Sequence, residues 1–261
     1  MKEQKVFFKN SKGQKLFGIL YVPEGKGPFP AIVHVHGFGG RTFEPKIKFI
    51  NKELTKSGFV SLQFDMFNKP VGKSEPDIEY MTVESQLDAT KSAIDFLETL
   101  DYVDKNKIGL TGHSRGGMTV LIYAPTDKRI KSLVSQSATS NFKNTHEYYV
   151  NNEGLDLKKW KETGWRHVKK SWGEFKLSYD HYEDGLKYDV YAAADKTEIP
   201  TLVIHGDEDK AVPLKQSKEL VKHLKNGKLE IIKGADHNYR INNTLPVATK
   251  LIVDWFKRYL K

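Results

Sequence analysis

Ile108-Gly109-Leu110 leads through Thr111 into Gly112-His113-Ser114-Arg115-Gly116, and this stretch decides the fold. It is a short apolar strand followed by Gly-x-Ser-x-Gly and then the helix-compatible run Gly117-Met118-Thr119-Val120-Leu121. A serine held at the apex of a very sharp strand-to-helix turn stands clear of the sheet, where its hydroxyl can attack a substrate. The flanking glycines leave room for the backbones that crowd such a turn. The alternative is an ordinary glycine turn with an idle serine, and the residues further along the chain weigh against it.

A serine hydroxyl is a weak nucleophile until a base takes its proton, and the base needs an acid to orient it. Both partners follow Ser114 in the order acid, then histidine, each just after an apolar strand. Thr201-Leu202-Val203-Ile204 is followed by His205-Gly206-Asp207-Glu208-Asp209-Lys210-Ala211-Val212-Pro213. Leu229-Glu230-Ile231-Ile232 is followed by Lys233-Gly234-Ala235-Asp236-His237. Of the nine histidines, His237 alone follows the last strand after the acid, so it is the expected base. His34 lies inside an apolar strand, His113 belongs to the turn, His223 sits in a lysine-rich helix, and His146, His167 and His181 fall in a separate insert. Asp209 fits the spacing Gly-x-x-Asp-x-x-Val-Pro with Gly206, Val212 and Pro213, and is preferred to Asp207, which reads as a turn residue binding nearby N–H groups. Asp236 is too close in sequence to pair with His237. Asp207, Glu208 and Asp209 could hold a metal, but no histidine pair with ligand spacing accompanies them, so no metal is expected.

An oxyanion is best held by two backbone N–H groups. One should be that of Arg115, after the nucleophile. The other should come from the loop after the third strand, Pro30-Ala31-Ile32-Val33-His34-Val35, whose sequence His36-Gly37-Phe38-Gly39-Gly40 points to Phe38.

These residues resemble the α/β-hydrolase superfamily over nearly the whole chain, and within it the cinnamoyl (feruloyl) esterases and monoacylglycerol-lipase-like hydrolases. The likeness rests on His36-Gly37-Phe38-Gly39-Gly40, on Phe64-Asp65 with Gly72-Lys73-Ser74, on Met81-Thr82-Val83, and on Gly112-His113-Ser114-Arg115-Gly116-Gly117. It departs from the family between Met66 and Val71, where a shorter glycine turn is usual. The resemblance implies an α/β fold with a mostly parallel eight-stranded sheet flanked by helices. It also implies a serine carboxylesterase acting on short-chain acyl or hydroxycinnamate esters through Ser114, Asp209 and His237, with no cofactor.

Composition is consistent with this. The 261 residues can form one α/β domain with a sizeable core. The net charge of +9 comes from 42 Lys and Arg against 33 Asp and Glu. The lysines are spread, apart from Lys215, Lys218, Lys222, Lys225 and Lys228, and no arginine-rich arm or aromatic-interleaved basic strip marks a nucleic-acid or membrane surface. With no cysteine there is neither a disulfide framework nor thiol chemistry. Met1-Lys2-Glu3-Gln4-Lys5 lacks an apolar signal-peptide core, and no apolar run approaches a membrane span, so a cytoplasmic monomer or homodimer acting on a small-molecule ester is expected.

Along the chain, Val6-Phe7-Phe8 and Leu16 to Val22 flank the turn Asn10-Ser11-Lys12-Gly13 and predict an opening hairpin. Ile47, Ile50 and Leu54 mark a helix stopped by Gly58, and Thr82 caps a helix carrying Val83, Leu87, Ile94 and Leu97. A closing helix from about Pro246 should bury Leu251, Trp255 and Tyr259. Alternating strand and helix over 1–140 and 195–261 make the core domain. Residues 141–194 break the alternation. They hold three of the four tryptophans, Trp160, Trp165 and Trp172, with nine basic and nine acidic residues in balance. A structureless loop of that length is unusual, so a small helical cap is expected, with some of its tryptophans facing the substrate. Two other readings stay open: an amide or peptide hydrolase in which Glu183 and Asp184 hold a substrate amine, and a non-catalytic binding protein on the same fold.

Overall fold

The computed structural model describes residues 1–68, 70–170 and 173–261. The chain opens with the expected hairpin: β1 (Lys2–Lys9) and β2 (Lys15–Val22) pair antiparallel from Lys2 opposite Val22 to Lys9 opposite Lys15. Then follow β3 (Phe29–Val35), α1 (Pro45–Lys56), β4 (Val60–Asp65), α2 (Val83–Glu98), β5 (Val103–His113), α3 (Arg115–Tyr123) and β6 (Ile130–Gln136). Thr82 caps α2 through a reciprocal pair: its hydroxyl accepts from the Ser85 N–H, and the Ser85 hydroxyl accepts from the Thr82 N–H.

The expected helical cap is partly a sheet. After α4 (Phe142–Glu153) and α5 (Leu157–Thr163) comes an antiparallel hairpin, β7 (Trp165–Lys170) and β8 (Gly173–Ser178), then α6 (Asp180–Gly185) and α7 (Val190–Lys196). The physical reason is local. Gly164, left-handed at φ 74°, ends α5. Beyond it Val168, Phe175 and Leu177 are buried while Lys169, Glu174 and Lys176 are exposed, the alternation of a strand rather than a helix. The Trp160 indole N–H donates to the Leu177 carbonyl at 3.1 Å, tying α5 to the hairpin. α7 packs against α3.

The core resumes with β9 (Thr201–Gly206), α8 (Lys215–His223), β10 (Gly227–Ile232) and α9 (Thr244–Leu260). Eight strands form one sheet in the order β1-β2-β4-β3-β5-β6-β9-β10, parallel from β4 to β10. Each central strand feeds two cores. In β3, Ala31, Val33 and Val35 join the cluster with α2 and α3, while Ile32 joins the cluster with α1 and α9. The closing helix begins two residues before Pro246, a tolerated place because first-turn N–H groups lack intrahelical acceptors. Its buried face is offset from the expected one. Ala248, Ile252, Phe256 and Leu260 recur at i, i+4 beneath the sheet together with Trp255, leaving Leu251 and Tyr259 only half-buried at the margin. No helix among the described residues is long and apolar enough to cross a membrane.

β3 is flanked by β4 on one side and β5 on the other, so the chain reverses its direction of winding there. The crevice at the carboxyl ends of two such strands is the natural ligand site of an open parallel sheet. Phe38 follows β3 and Ser114 follows β5.

Candidate active site

Ser114 sits at the tip of the turn with φ 55° and ψ −117°, a conformation an L-residue holds only when its surroundings enforce it. The flanking glycines show what enforces it. A Cβ on Gly112 would lie 2.2 Å from the Gly116 carbonyl oxygen, and one on Gly116 would lie 2.2 Å from that of Val35. The Ser114 N–H donates to the Gln136 carbonyl at 2.8 Å, and its carbonyl accepts from Met118 at 3.1 Å, fastening the turn to β6 and α3.

Asp209 and His237, from the loops after β9 and β10, are brought together. The His237 Nδ1–H donates to Asp209 Oδ2 at 2.7 Å, which leaves Nε2 as the free lone pair of the ring. Asp209 is fully buried, and its other oxygen accepts from the N–H groups of Ala211 at 2.8 Å and Val212 at 2.9 Å. Burial by itself would raise its pKa. The hydrogen bonds from His205 and His237 outweigh that and hold it well below the usual carboxylate range, so it stays ionised. Asp207 and Asp236 are occupied elsewhere: Asp207 accepts from the Gly234 N–H at 2.5 Å and Asp236 from that of Arg240 at 2.6 Å. Among the described residues no hydrogen bond joins Ser114 Oγ to His237. Such contacts commonly tighten only once substrate binds.

Several contributors escape a reading of the sequence. His205, buried in β9, lies 3.1 Å from Asp209 Oδ2 through Nε2, while its Nδ1 accepts from Ser217 Oγ at 2.7 Å. The carboxylate is therefore clamped by two imidazoles. His113 packs its ring 4.7 Å from that of His237 and donates from Nε2 to the His237 carbonyl at 2.7 Å. Buried Lys46, pushed down to about 7 by its burial, donates to Asn238 Oδ1 at 3.0 Å and steadies the same loop. On the other side, His36 Nδ1–H donates to the Gly37 carbonyl at 2.8 Å, and Asp65 accepts from the Thr42 N–H at 2.6 Å, so the Phe38 loop is pinned. The N–H groups of Phe38 and Arg115 donate to no protein acceptor among the described residues.

A cavity of about 790 Å³ opens beside Ser114 beneath the cap, with Phe38, Met118, Phe142, Trp160 and His181 among its walls. Trp160 and Trp165 both line it; Trp160 is buried, and Trp165 is half-buried with its ring edge-on to Tyr80 at 5.4 Å. Trp172 lies outside the described residues. His34, expected in the core, is buried and bonded to Asn51 at 3.0 Å.

A Gly-x-Ser-x-Gly turn after β5, a carboxylate after β9 and a histidine after β10 on this sheet order are the arrangement of the α/β-hydrolase fold. Comparison with known proteins agrees. Residues 78–261 match the model of the prolyl oligopeptidase family, and the chain belongs to that family. It is 27% identical to human serine hydrolase BPHL over 218 residues, 78% of this chain and 71% of that protein. It is 25% identical to an uncharacterized 31.7 kDa Escherichia coli protein, covering 92% of this chain and 94% of the other. Among solved structures it is similar to Est1E from Butyrivibrio proteoclasticus with ferulic acid bound, with TM-score 0.84 and 27% identity over 97% of this chain and 98% of that one. The chain is thus a serine hydrolase.

Proposed function

We propose that the protein is a serine carboxylesterase of short-chain acyl or hydroxycinnamate esters, with Ser114, His237 and Asp209 as its catalytic residues. Ser114 Oγ attacks the ester carbonyl carbon as His237 Nε2 takes its proton. Asp209 holds the Nδ1–H and stabilises the imidazolium that results. The N–H groups of Phe38 and Arg115 bind the oxyanion. The ester C–O bond then breaks, the alcohol leaves with the proton from His237, and water cleaves the acyl-enzyme by the same route. The observation that carries this reading is the 2.7 Å bond from His237 to a buried, doubly clamped Asp209, beside a serine held on a strained turn. The likeness to Est1E with its ferulic acid supports a flat or short acyl group.

The amide-hydrolase reading draws support from the family name, but its proposed amine anchor is otherwise engaged. Asp184 accepts from the N–H groups of Val83 at 2.7 Å and Glu84 at 3.1 Å at the start of α2, and Glu183 is exposed away from the cavity. The test is a hydrolysis panel of nitrophenyl acetate, butyrate and palmitate, methyl ferulate, and an alanyl nitroanilide. Turnover of the short esters or ferulate, with the palmitate and anilide poor, is expected. Preference for the anilide would overturn the esterase reading.

A further inference from the structure

Arg115 has a role open to its side chain as well as to its backbone. Its guanidinium is buried in the cavity wall directly after Ser114. Nε donates to Gln86 Oε1 at 3.0 Å, Nη1 donates to His181 Nε2 at 2.6 Å, and the group lies 4.9 Å over the Phe142 ring. All of these partners are neutral. His181 Nε2 can accept only because its Nδ1–H is given to the Met81 carbonyl at 3.0 Å, and burial pushes its pKa well below the ordinary value, so it carries no charge. Among the described residues Nη2 has no hydrogen-bond partner. A buried cation hydrogen-bonded only to neutral groups, with one donor orphaned, is costly and is retained where something else supplies an acceptor. Burial pushes the Arg115 pKa down to about 9, and the nearby Tyr149 and Asp184 offset only part of that.

The rest of the cavity has the same sign. Lys159, Arg166, Lys169, Lys170 and Lys176 line it with Arg115, against the one carboxylate of Asp156 among the described lining residues. Lys169 is paired with Glu174 at 2.8 Å, and the Asp156 carboxylate accepts from the Lys159 N–H at 2.9 Å at the start of α5. Lys159, Lys170 and Lys176 stay at the exposed rim. Such a wall draws an anion inward, where Arg115 can meet it with a charge-assisted bond. The half of the ester that enters can be assigned. His237 must hand its proton to the leaving alcohol, so the alcohol lies on the His237 side, and His237 is not among the described residues that line the cavity.

We propose that this cavity is an acyl-side anion subsite, and that the preferred substrate is an ester whose acyl chain carries a carboxylate that pairs with Arg115. The proposal rests on the esterase reading above, with Ser114 as nucleophile.

The test uses two esters that differ only in charge: 4-nitrophenyl hydrogen adipate and its neutral methyl ester, methyl 4-nitrophenyl adipate. A charge-assisted bond to a buried guanidinium should raise kcat/KM for the anionic ester by about tenfold or more over the neutral one. In Arg115→Gln the ratio should fall close to unity. An equal or lower rate for the anionic ester in the wild type, or an unchanged ratio in a folded Arg115→Gln, would overturn the proposal. A binding measurement serves if that variant does not fold. Ser114→Ala titrated with monomethyl adipate and with dimethyl adipate should bind the monoanion more tightly by a similar factor, and equal or weaker binding overturns the subsite. Failure of the esterase reading looks different: neither nitrophenyl ester is turned over by the wild type, whatever the titration gives.

Discussion

Mild acid should destabilise this protein, and the effect follows from its buried histidines His34, His113, His146 and His181. His34 and His146 are pushed down to about 3, chiefly by burial, and His113 and His181 are pushed well below the ordinary value for the same reason. Each is neutral in the folded chain. In the unfolded chain each gains a proton near the ordinary imidazole value of about 6.5. Below that pH the unfolded state binds more protons than the native one, so stability rises with pH and is lost as pH falls from about 6.5 toward the folded values. Between about pH 7 and about pH 5 the loss is about 2 kcal/mol each for His34 and His146, about 4 kcal/mol together, and His113 and His181 act in the same direction. That is a large share of the whole stability of an ordinary domain, about 5–15 kcal/mol. The assay is urea unfolding followed by tryptophan fluorescence at several pH values across this range. The urea midpoint should fall by the equivalent of about 4 kcal/mol or more with the slope m unchanged. A midpoint that moves by the equivalent of less than about 1 kcal/mol would refute the reasoning, because it would mean the histidines can be protonated inside the native fold.

The remaining predictions concern the site. Asp209→Asn should cut turnover by about ten-thousand-fold, as loss of the orienting carboxylate does in other serine hydrolases. Asp207→Asn, which disturbs only the contact with the Gly234 N–H, should leave kcat within a few-fold in the same assay. His205→Gln removes one clamp from the Asp209 carboxylate, and a hydrogen bond to a charged group is worth about 1.5–3 kcal/mol. A fall in kcat by about tenfold or more with a displaced pH profile is expected; a loss of thermal stability alone would make His205 merely structural. Gly116→Ala has no room for its Cβ against the Val35 backbone and should fail to fold or melt far below the wild type in calorimetry. Gly154→Ala meets nothing within 4 Å and has only its φ of +68° against it. It should cost about 1 kcal/mol.

What could be read in the sequence was what lies close along the chain. The turn at Ser114, the loop at Phe38 and the placing of Asp209 and His237 after their strands all follow from short motifs beside apolar runs. The side-chain links between those loops could not be read. His205 stood only as the first residue after an apolar strand, because nothing in its neighbours indicates that its ring turns back to the carboxylate at i+4. His181 and Arg115 are far apart in sequence, and their 2.6 Å contact exists only once the cap closes on α3. The hairpin within the cap was missed because its aromatic residues suit helix and strand alike. Only the left-handed Gly164 and the alternation around Val168 separate the two, and a short hairpin gives few residues from which to see the period. The offset in α9 has a similar cause. Leu251 and Tyr259 and the fully packed Ala248, Ile252, Phe256 and Leu260 form adjacent stripes on one helix, with Trp255 buried between them, and packing against the sheet chooses between them.

The central claim is that Ser114 is the activated nucleophile. The most direct measurement is reaction of the folded protein with a fluorophosphonate, followed by peptide mass spectrometry to locate the adduct. The account predicts a single stoichiometric adduct on the peptide carrying Ser114, suppressed by a hydrolysable ester and absent from Ser114→Ala. A folded wild-type protein that takes up no label, or is labelled at another serine, would contradict it.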